Sequence, residues 1–267
     1  MLLTLSVNSV RSLFDGAKSK LSLLDLPKFA RNEIGLHGLN VQTRYLAGWD
    51  IPKIDRLRDE ADKAACPCLI LIEDEPQRLG DRNIATDEAA VDRMDRVLRV
   101  AHRLGCSGVA MPIADPGTGG DFERLAARLR TIVQRAERLE MNLLITPAPG
   151  PTARPEELTA LIRKVGGFRI GSFPDFQTAA ATDDPTGYLR SLTPYASAVC
   201  ASSLAFDKSG EHTGFDLKTC VQAITSVGYD GTLSLEYRGK GDVTAALLAT
   251  RAIIESVAQA THVPEDE

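Results

Sequence analysis

Two carboxylates stand where apolar runs end: Glu236 in GTLSLEYRGKGD, residues 231–242, and Asp175 in GSFPDF, residues 171–176. Each is followed by an aromatic, Tyr237 or Phe176, so the acid reads as aimed into an opening at a strand end rather than used in capping a helix. A carboxylate held at such a point can move a proton as a general base, or ligate a divalent cation through hard oxygen atoms. Polar residues end the comparable runs too: Asn8, Gln42, Arg44, Glu73, Asp74, Asp115, Thr146, Cys200 to Ser203 and Arg238. Any one acid of that kind is more often a solvated loop residue or a helix cap, and only a converging set would make a site.

The elements that must position these residues alternate without a break. Apolar runs at LLTLSVN (2–8), GLNVQT (38–43), PCLILIE (67–73), SGVAMPI (107–113), NLLIT (142–146), FRIGSF (168–173), ASAVCAS (196–202) and TLSLE (232–236) predict eight strands. Amphipathic helices lie between them. Thr86 with Asp87 and Glu88 marks a helix start before Val91, Met94, Val97, Leu98, Ala101 and Leu104 at helical spacing, and Gly105 marks its stop. Asp121 precedes a second stripe of Phe122, Leu125, Leu129, Ile132, Val133, Ala136 and Leu139. Pro155 suits a first turn, and Asp50, Asp184, Asp216 and Asp242 stand where N-caps are wanted.

Strands that read as continuous apolar runs are buried on both faces, as parallel strands covered by helices must be. Eight of them with eight helices predict an α/β fold, a single (β/α)8 TIM barrel over residues 1–258 followed by a polar tail at 259–267. A doubly wound open sheet is the alternative, but SVNSVRSLFDG lacks the glycine-rich turn that such sheets carry after their first strand. In a barrel the strand ends form one open C-terminal mouth, which gathers the polar residues above onto one face.

The 267 residues carry a formal charge of −5 with interspersed signs, and 43% are hydrophobic and 25% charged. That balance fits a folded globular chain and offers no basic track for a phosphate backbone, so nucleic acid is not an expected partner. MLLTLSVNSV has no basic residues ahead of its apolar run and reads as a strand rather than a signal peptide. No stretch reads as approaching the roughly eighteen apolar residues of a membrane helix, and the expectation is a cytoplasmic protein with no membrane partner. The five cysteines, Cys66, Cys68, Cys106, Cys200 and Cys220, are odd in number and lack a CxxC pair, which fits reduced thiols; CPC at 66–68 is a weak zinc pattern. Trp49 and Tyr45 follow strand two on the mouth side, where an aromatic could stack on a ligand or pack into the loop. Gly117, Gly119 and Gly120 in DPGTGGDF could cradle a phosphate, a flexible loop being the plainer reading. His37, His102 and His262 read as structural or solvated.

The segments PEELTALIRKVGGFRIGSFPDF, YLRSLTPYASAVCASSLAFDKSGEHTGFDL and SVGYDGTLSLEYRGKGD resemble the sugar phosphate isomerase/epimerase family, the xylose-isomerase-like barrels, and GYDGTLSLEY is the most specific piece. The resemblance implies a divalent metal (Mn, Mg, Co or Zn) held by Glu, Asp, His and Glu at the ends of strands five to eight, polarising a carbonyl while a carboxylate moves the proton. Carried over, the strand-six Asp falls on Asp175 and the strand-eight Glu on Glu236, which makes both candidate metal ligands and catalytic residues. Thr146 stands where the first Glu belongs, Cys200 where the His belongs and Ser202 where a nearby Lys belongs. Threonine is a poor ligand for a hard cation, and cysteine would bind a soft one as thiolate. The resemblance also implies two opposed carboxylates for epimerisation. With Thr146 in place of one, Asp115 and His212 are candidates to have moved in, and Arg238 and Trp49 join them as candidate substrate-binding residues.

The expected ligand is a small sugar-like polyhydroxy carbonyl compound, and the sequence is compatible with a homo-oligomer. One reading is an enzyme with Glu236 as base and an altered or absent metal. A second is a non-catalytic relative that binds a sugar-like ligand or partners an active homologue. A DNA-repair endonuclease on the same barrel is the third, disfavoured by the acidic balance and the scarcity of histidine, of which there are four. Convergence of Asp115, Asp175, Cys200, His212 and Glu236 on one cavity would favour the enzyme; dispersed side chains, or carboxylates tied up by Arg169 and Arg238, would favour a binding or scaffold role.

Overall fold

The computed structural model describes residues 1–16, 19–115 and 121–260. Its strands are β1 (Leu2–Ser6), β2 (Leu39–Gln42), β3 (Cys68–Ile72), β4 (Gly108–Pro112), β5 (Asn142–Thr146), β6 (Ile170–Ser172), β7 (Ala198–Ser203) and β8 (Thr232–Tyr237). The α-helices are α1 (Arg11–Phe14), α2 (Leu26–Phe29), α3 (Ile51–Lys63), α4 (Ile84–Leu104), α5 (Phe122–Arg138), α6 (Pro155–Val165), α7 (Phe176–Ala180), α8 (Pro185–Leu192), α9 (Leu217–Thr225) and α10 (Val243–Ala260). The strands run parallel in the order β6-β5-β4-β3-β2-β1-β8-β7. The ring closes between β6 and β7 through two isolated parallel bridges, Ser172 with Ala196 and Asp175 with Cys200. This is the α/β (β/α)8 TIM barrel expected from the alternation of strands and helices, with every expected strand in place.

Local chemistry starts the helices. The side chains of Asp50, Asp184, Asp216 and Asp242 accept backbone N–H bonds from Lys53, Gly187, Thr219 and Thr244 at 3.0, 2.8, 2.9 and 2.9 Å. Helix α4 begins earlier than the acids at 87 and 88 suggest. Asn83 caps it by accepting from Ala85 and Thr86, so Asp87 falls inside the helix. There it is fully buried, held by the Gly80 N–H at 3.0 Å and by Arg128 Nε at 2.7 Å. Helix α10 also departs from expectation: its 18 residues have a mean hydropathy of 1.2, long and apolar enough to cross a bilayer by composition alone. One face explains this, because Val243, Ala246, Leu247, Thr250, Ile253, Ile254 and Val257 are buried and the helix packs on β8 and α9. It runs through Ala260, two residues beyond the expected domain end. Gly117, Gly119, Gly120 and His262 lie outside the described residues.

The strands place alternate residues on opposite faces. Leu71, Val109, Leu143, Val199 and Leu233 face outward into the large core shared with the helices, whereas Ile70, Ala110, Leu144, Phe173, Ala198 and Cys200 form a separate small cluster facing the barrel axis. That apolar lining comes from β3 to β7. The rest of the interior is polar: Thr4 and Ser6 on β1, Asn40 and Gln42 on β2, and Ser234 and Glu236 on β8 are all buried. Asn40 donates to Thr4 at 2.8 Å and Gln42 to Ser6 at 2.9 Å. The barrel therefore has a dry half and a hydrogen-bonding half, and Glu236 tops the second.

Candidate functional site

Strand β8 aims two opposite charges at the same place. Glu236 and Arg238 are two residues apart, the spacing that puts side chains on one face of a strand, and the Arg238 N–H extends the ladder by donating to the Ser203 carbonyl at 2.8 Å. Gly239 follows because nothing larger fits: a Cβ there would run into the Leu204 carbonyl oxygen. Asp175 comes from the other side of the closing seam. It caps α7, accepting from the Thr178 N–H at 2.8 Å and the Thr178 hydroxyl at 3.0 Å, and it also faces the mouth. The sequence pattern read as mouth-facing rather than capping; one carboxylate does both.

The Arg238 guanidinium bridges the two acids. Nη1 and Nη2 donate to Asp175 Oδ1 and Oδ2 at 3.1 and 2.7 Å, and Nε donates to Glu236 Oε1 at 2.9 Å. Nη1 also donates to Gln177 Oε1 at 2.9 Å, and Nη2 lies 3.6 Å from Cys200 Sγ. Burial opposes charge on this guanidinium, but the Asp175 and Glu236 carboxylates outweigh it and hold Arg238 above its ordinary value. Glu236 is further held by Ser6 Oγ on Oε2 at 2.8 Å and Asn8 Nδ2 on Oε1 at 3.1 Å. Asn8 Oδ1 in turn accepts from Arg44 Nη2 at 2.5 Å and Tyr45 OH at 3.0 Å, and Arg44 pairs with Asp74 at 3.0 Å. Burial raises the Asp74 carboxyl, with the Arg44 backbone N–H and guanidinium working the other way. Thr43 and Arg93 tie Glu73 into the same belt at 3.3 and 2.8 Å.

Asp175, Cys200, Glu236 and Arg238 thus converge. The other candidates do not join them. His212 is a loop staple: its Nε2 accepts from the Leu204 N–H at 2.9 Å and its Nδ1 donates to the Phe215 carbonyl at 2.8 Å, with Phe206 and Phe215 against its ring. Asp115 is exposed and lies against Gly150 in the loop after β5. Trp49 is half-buried, and Lys53 Nζ sits 4.2 Å from its ring centre, covering a face that a sugar would need. Arg169 donates to the Glu140 carbonyl at 2.8 Å and touches neither acid. A cavity of about 340 Å³ opens between the β2–α3 loop and α4, lined by Thr43, Arg44, Glu73, Asp74 and Arg93 among others. It adjoins the belt at Arg44 and includes none of Asp175, Cys200, Glu236 and Arg238.

Ser6, Gln177, Thr178 and Arg93 are partners that the list of strand-end residues missed. Ser6 carried a readable signal: Thr4, Ser6 and Asn8 are polar at alternate positions of LLTLSVN, the mark of one strand face turned to polar surroundings. Gln177 and Thr178 belong to the short α7 that Asp175 starts, anchored by the Gln177 N–H to Ser202 Oγ at 2.8 Å.

The residues at the four implied ligand positions do not fit a divalent metal. Thr146 contributes a buried hydroxyl that has no partner among the described residues. Burial, with Asp175 and Glu236 nearby, pushes the Cys200 thiol well above its ordinary value, and sulfur is in any case a soft donor, unsuited to a hard cation. Asp175 and Glu236, the two candidate metal ligands, instead share one guanidinium cation as its counter-ions. Among the described residues no group of three or more His, Cys, Asp or Glu side chains is placed to hold a metal ion.

Comparison with known proteins places this geometry in a context. Residues 32–258 match the family described as xylose isomerase-like TIM barrel. No curated protein sequence matches the chain. Among solved structures, an L-ribulose 3-epimerase superposes with a TM-score of 0.81 at 15% identity, covering 100% of both chains. The 3-keto-D-glucoside 4-epimerase of E. coli gives 0.75 at 14% identity, over 96% of this chain and 99% of that one. A protein named IOLI, solved with a binding zinc atom, gives 0.73 at 13% identity over 97% and 99%. At such identities the likeness is one of fold.

Proposed function

This chain belongs to the xylose isomerase-like TIM barrel family, and on that premise we propose that it binds a small sugar-like polyhydroxy carbonyl compound at its C-terminal mouth without the metal-assisted proton transfer of an isomerase. The observation that carries the reading is the Arg238 bridge. A general base needs an oxygen free to meet a substrate proton, and the oxygens of Glu236 already accept from Ser6, Asn8 and Arg238. Arg238 and Asn8 fill both lone pairs of Oε1, which leaves a base role only to Oε2, the oxygen that already accepts from Ser6. The rim around it offers what hydroxyl groups need, donors and acceptors side by side: the Asn8 and Gln177 amides, the Tyr45 phenol and the Arg44–Asp74 pair. Family membership supports the ligand class, and the names of the structural neighbours suggest ketoses as the first compounds to try.

The test is calorimetric titration with L-ribulose, D-psicose, D-fructose and D-tagatose, run beside chromatographic assays for interconversion with Mn²⁺, Mg²⁺, Co²⁺ or Zn²⁺ supplied. Saturable heat without interconversion, weakened by Asn8→Ala, is the expected result. Interconversion that survives chelator-treated controls would establish an enzyme instead, and absence of binding to any ketose would refute the ligand class.

A further inference from the structure

We infer that Arg238 is a tethered substitute for a divalent cation at the barrel mouth, and that removing its guanidinium uncovers a cation site on Asp175 and Glu236. The guanidinium makes contacts toward both acids, as a bound ion would. It reaches Asp175 through two parallel N–H bonds and Glu236 through a third, all between 2.7 and 3.1 Å. Gln177 and Cys200 take the remaining donors, so all five N–H groups of the fork point at acceptors. None is left to recruit an anionic ligand. The role that fits a saturated, inward-facing cation is charge compensation.

Charge arithmetic leads to the same place. The side chains of Asp175 and Glu236 are only 7% and 10% exposed, and one Arg238 answers both, leaving one negative charge in excess. Without Arg238 the mouth would hold two nearly buried carboxylates from β8 and the β6–α7 turn, each keeping its neutral donors: Ser6 and Asn8 for Glu236, Thr178 for Asp175. Mg²⁺ ordinarily takes one or two carboxylates from a protein and keeps several waters, and the same hard oxygen donors suit Mn²⁺. A tethered cation differs from a bound one in being present at every metal concentration and in every buffer. The inference shares the Arg238 bridge with the ligand-binding reading, but its test reads metal and not sugar, so either can fail alone.

The experiment compares full-length wild type, Arg238→Lys and Arg238→Gln after chelator treatment, titrated with Mn²⁺ and followed by calorimetry, electron paramagnetic resonance of free Mn²⁺, and melting temperature. Wild type and Arg238→Lys keep the tethered charge; they bind no stoichiometric Mn²⁺ and their melting temperatures ignore both Mn²⁺ and chelator. Arg238→Gln binds one Mn²⁺ per chain, about a hundredfold or more tighter than wild type, as loss of one adjacent positive charge in a partly buried site implies, and Mn²⁺ raises its melting temperature. Should Arg238→Gln fail to fold unaided, refolding with and without Mn²⁺ decides the matter, rescue by the ion supporting the inference. Stoichiometric Mn²⁺ in the wild type, or an Arg238→Gln protein that neither binds nor is rescued by it, overturns the inference.

Discussion

Replacing Arg238 with methionine keeps much of the side-chain volume and removes the charge. Breaking a buried ion pair by deleting one partner costs about 3–5 kcal/mol, because the other partner keeps its desolvation penalty without compensation. Arg238 is 32% exposed, which screens the pair, while Asp175 and Glu236 are 7% and 10% exposed. The lower end, about 3 kcal/mol, is therefore the expected loss. Unfolding entropy near 2.1 cal/mol/K per residue gives about 0.56 kcal/mol/K for 267 residues, so the melting temperature should fall by about 5 °C. The diagnostic comparison adds Asp175→Asn and Glu236→Gln to Arg238→Met. With no carboxylate left uncompensated, most of the loss should return, leaving a deficit of about 1 kcal/mol or less. Differential scanning calorimetry of the wild type, single and triple variants reads this directly. A drop below about 1 °C in the single variant would refute the reasoning, as would a triple variant less stable than the single, since either would mean that charge compensation is not what Arg238 supplies.

Three further outcomes can be checked. Burial pushes the Cys66, Cys68 and Cys220 thiols up to about 12; the fold thus favours the neutral thiol, a contribution complete below the ordinary thiol value of 9.0 and lost as pH rises from there toward 12, so melting temperature should decline over that window and more shallowly in Cys66→Ala/Cys220→Ala. Asp87→Ala removes a fully buried carboxylate bonded to Arg128 and the Gly80 N–H and should cost about 3 kcal/mol by urea titration while leaving ketose binding unchanged, since its partners are these two and not Asn8, Asp175, Glu236 or Arg238. His212→Ala deletes the bonds to Leu204 and Phe215 and should speed tryptic cleavage at exposed Lys208 several-fold, with little change in melting temperature.

The barrel was legible because its signals are local. Eight apolar runs, the Asp caps at 50, 184, 216 and 242, and stop glycines such as Gly105 each act within a few residues. The site was legible only as a set of candidates. Reading the strands as apolar on both faces hid the alternation in LTLS, LNVQ and LSLE, where Thr4, Ser6, Asn40, Gln42, Ser234 and Glu236 turn to one side and build the polar half of the interior. Asp175 reads as a mouth residue and not as a cap because the chain does not state how many hydrogen bonds one carboxylate will accept. Which partner Arg238 would choose depended on β6 and β8 meeting across β7, a distance of 63 residues in sequence. His212 and Trp49 lie in the loops that follow β7 and β2, and their ring orientations are set by Leu204, Phe215 and Lys53, contacts that spacing does not encode.

The join between β6 and β7 has a mechanical meaning. Seven neighbouring strand pairs are laced by ladders, one of them with a register shift at Leu39/Asn40, whereas this one has two isolated bridges, and β6 is three residues long. The protein is in effect a belt of eight strands with a buckle. Arg238 is the tongue of that buckle: it rises from β8, passes the end of β7 and fastens to Asp175 beyond β6. Partial opening should therefore begin here, with the Cys200 N–H, bonded to the Pro174 carbonyl at 2.8 Å, exchanging with solvent before its counterparts on the opposite side of the ring.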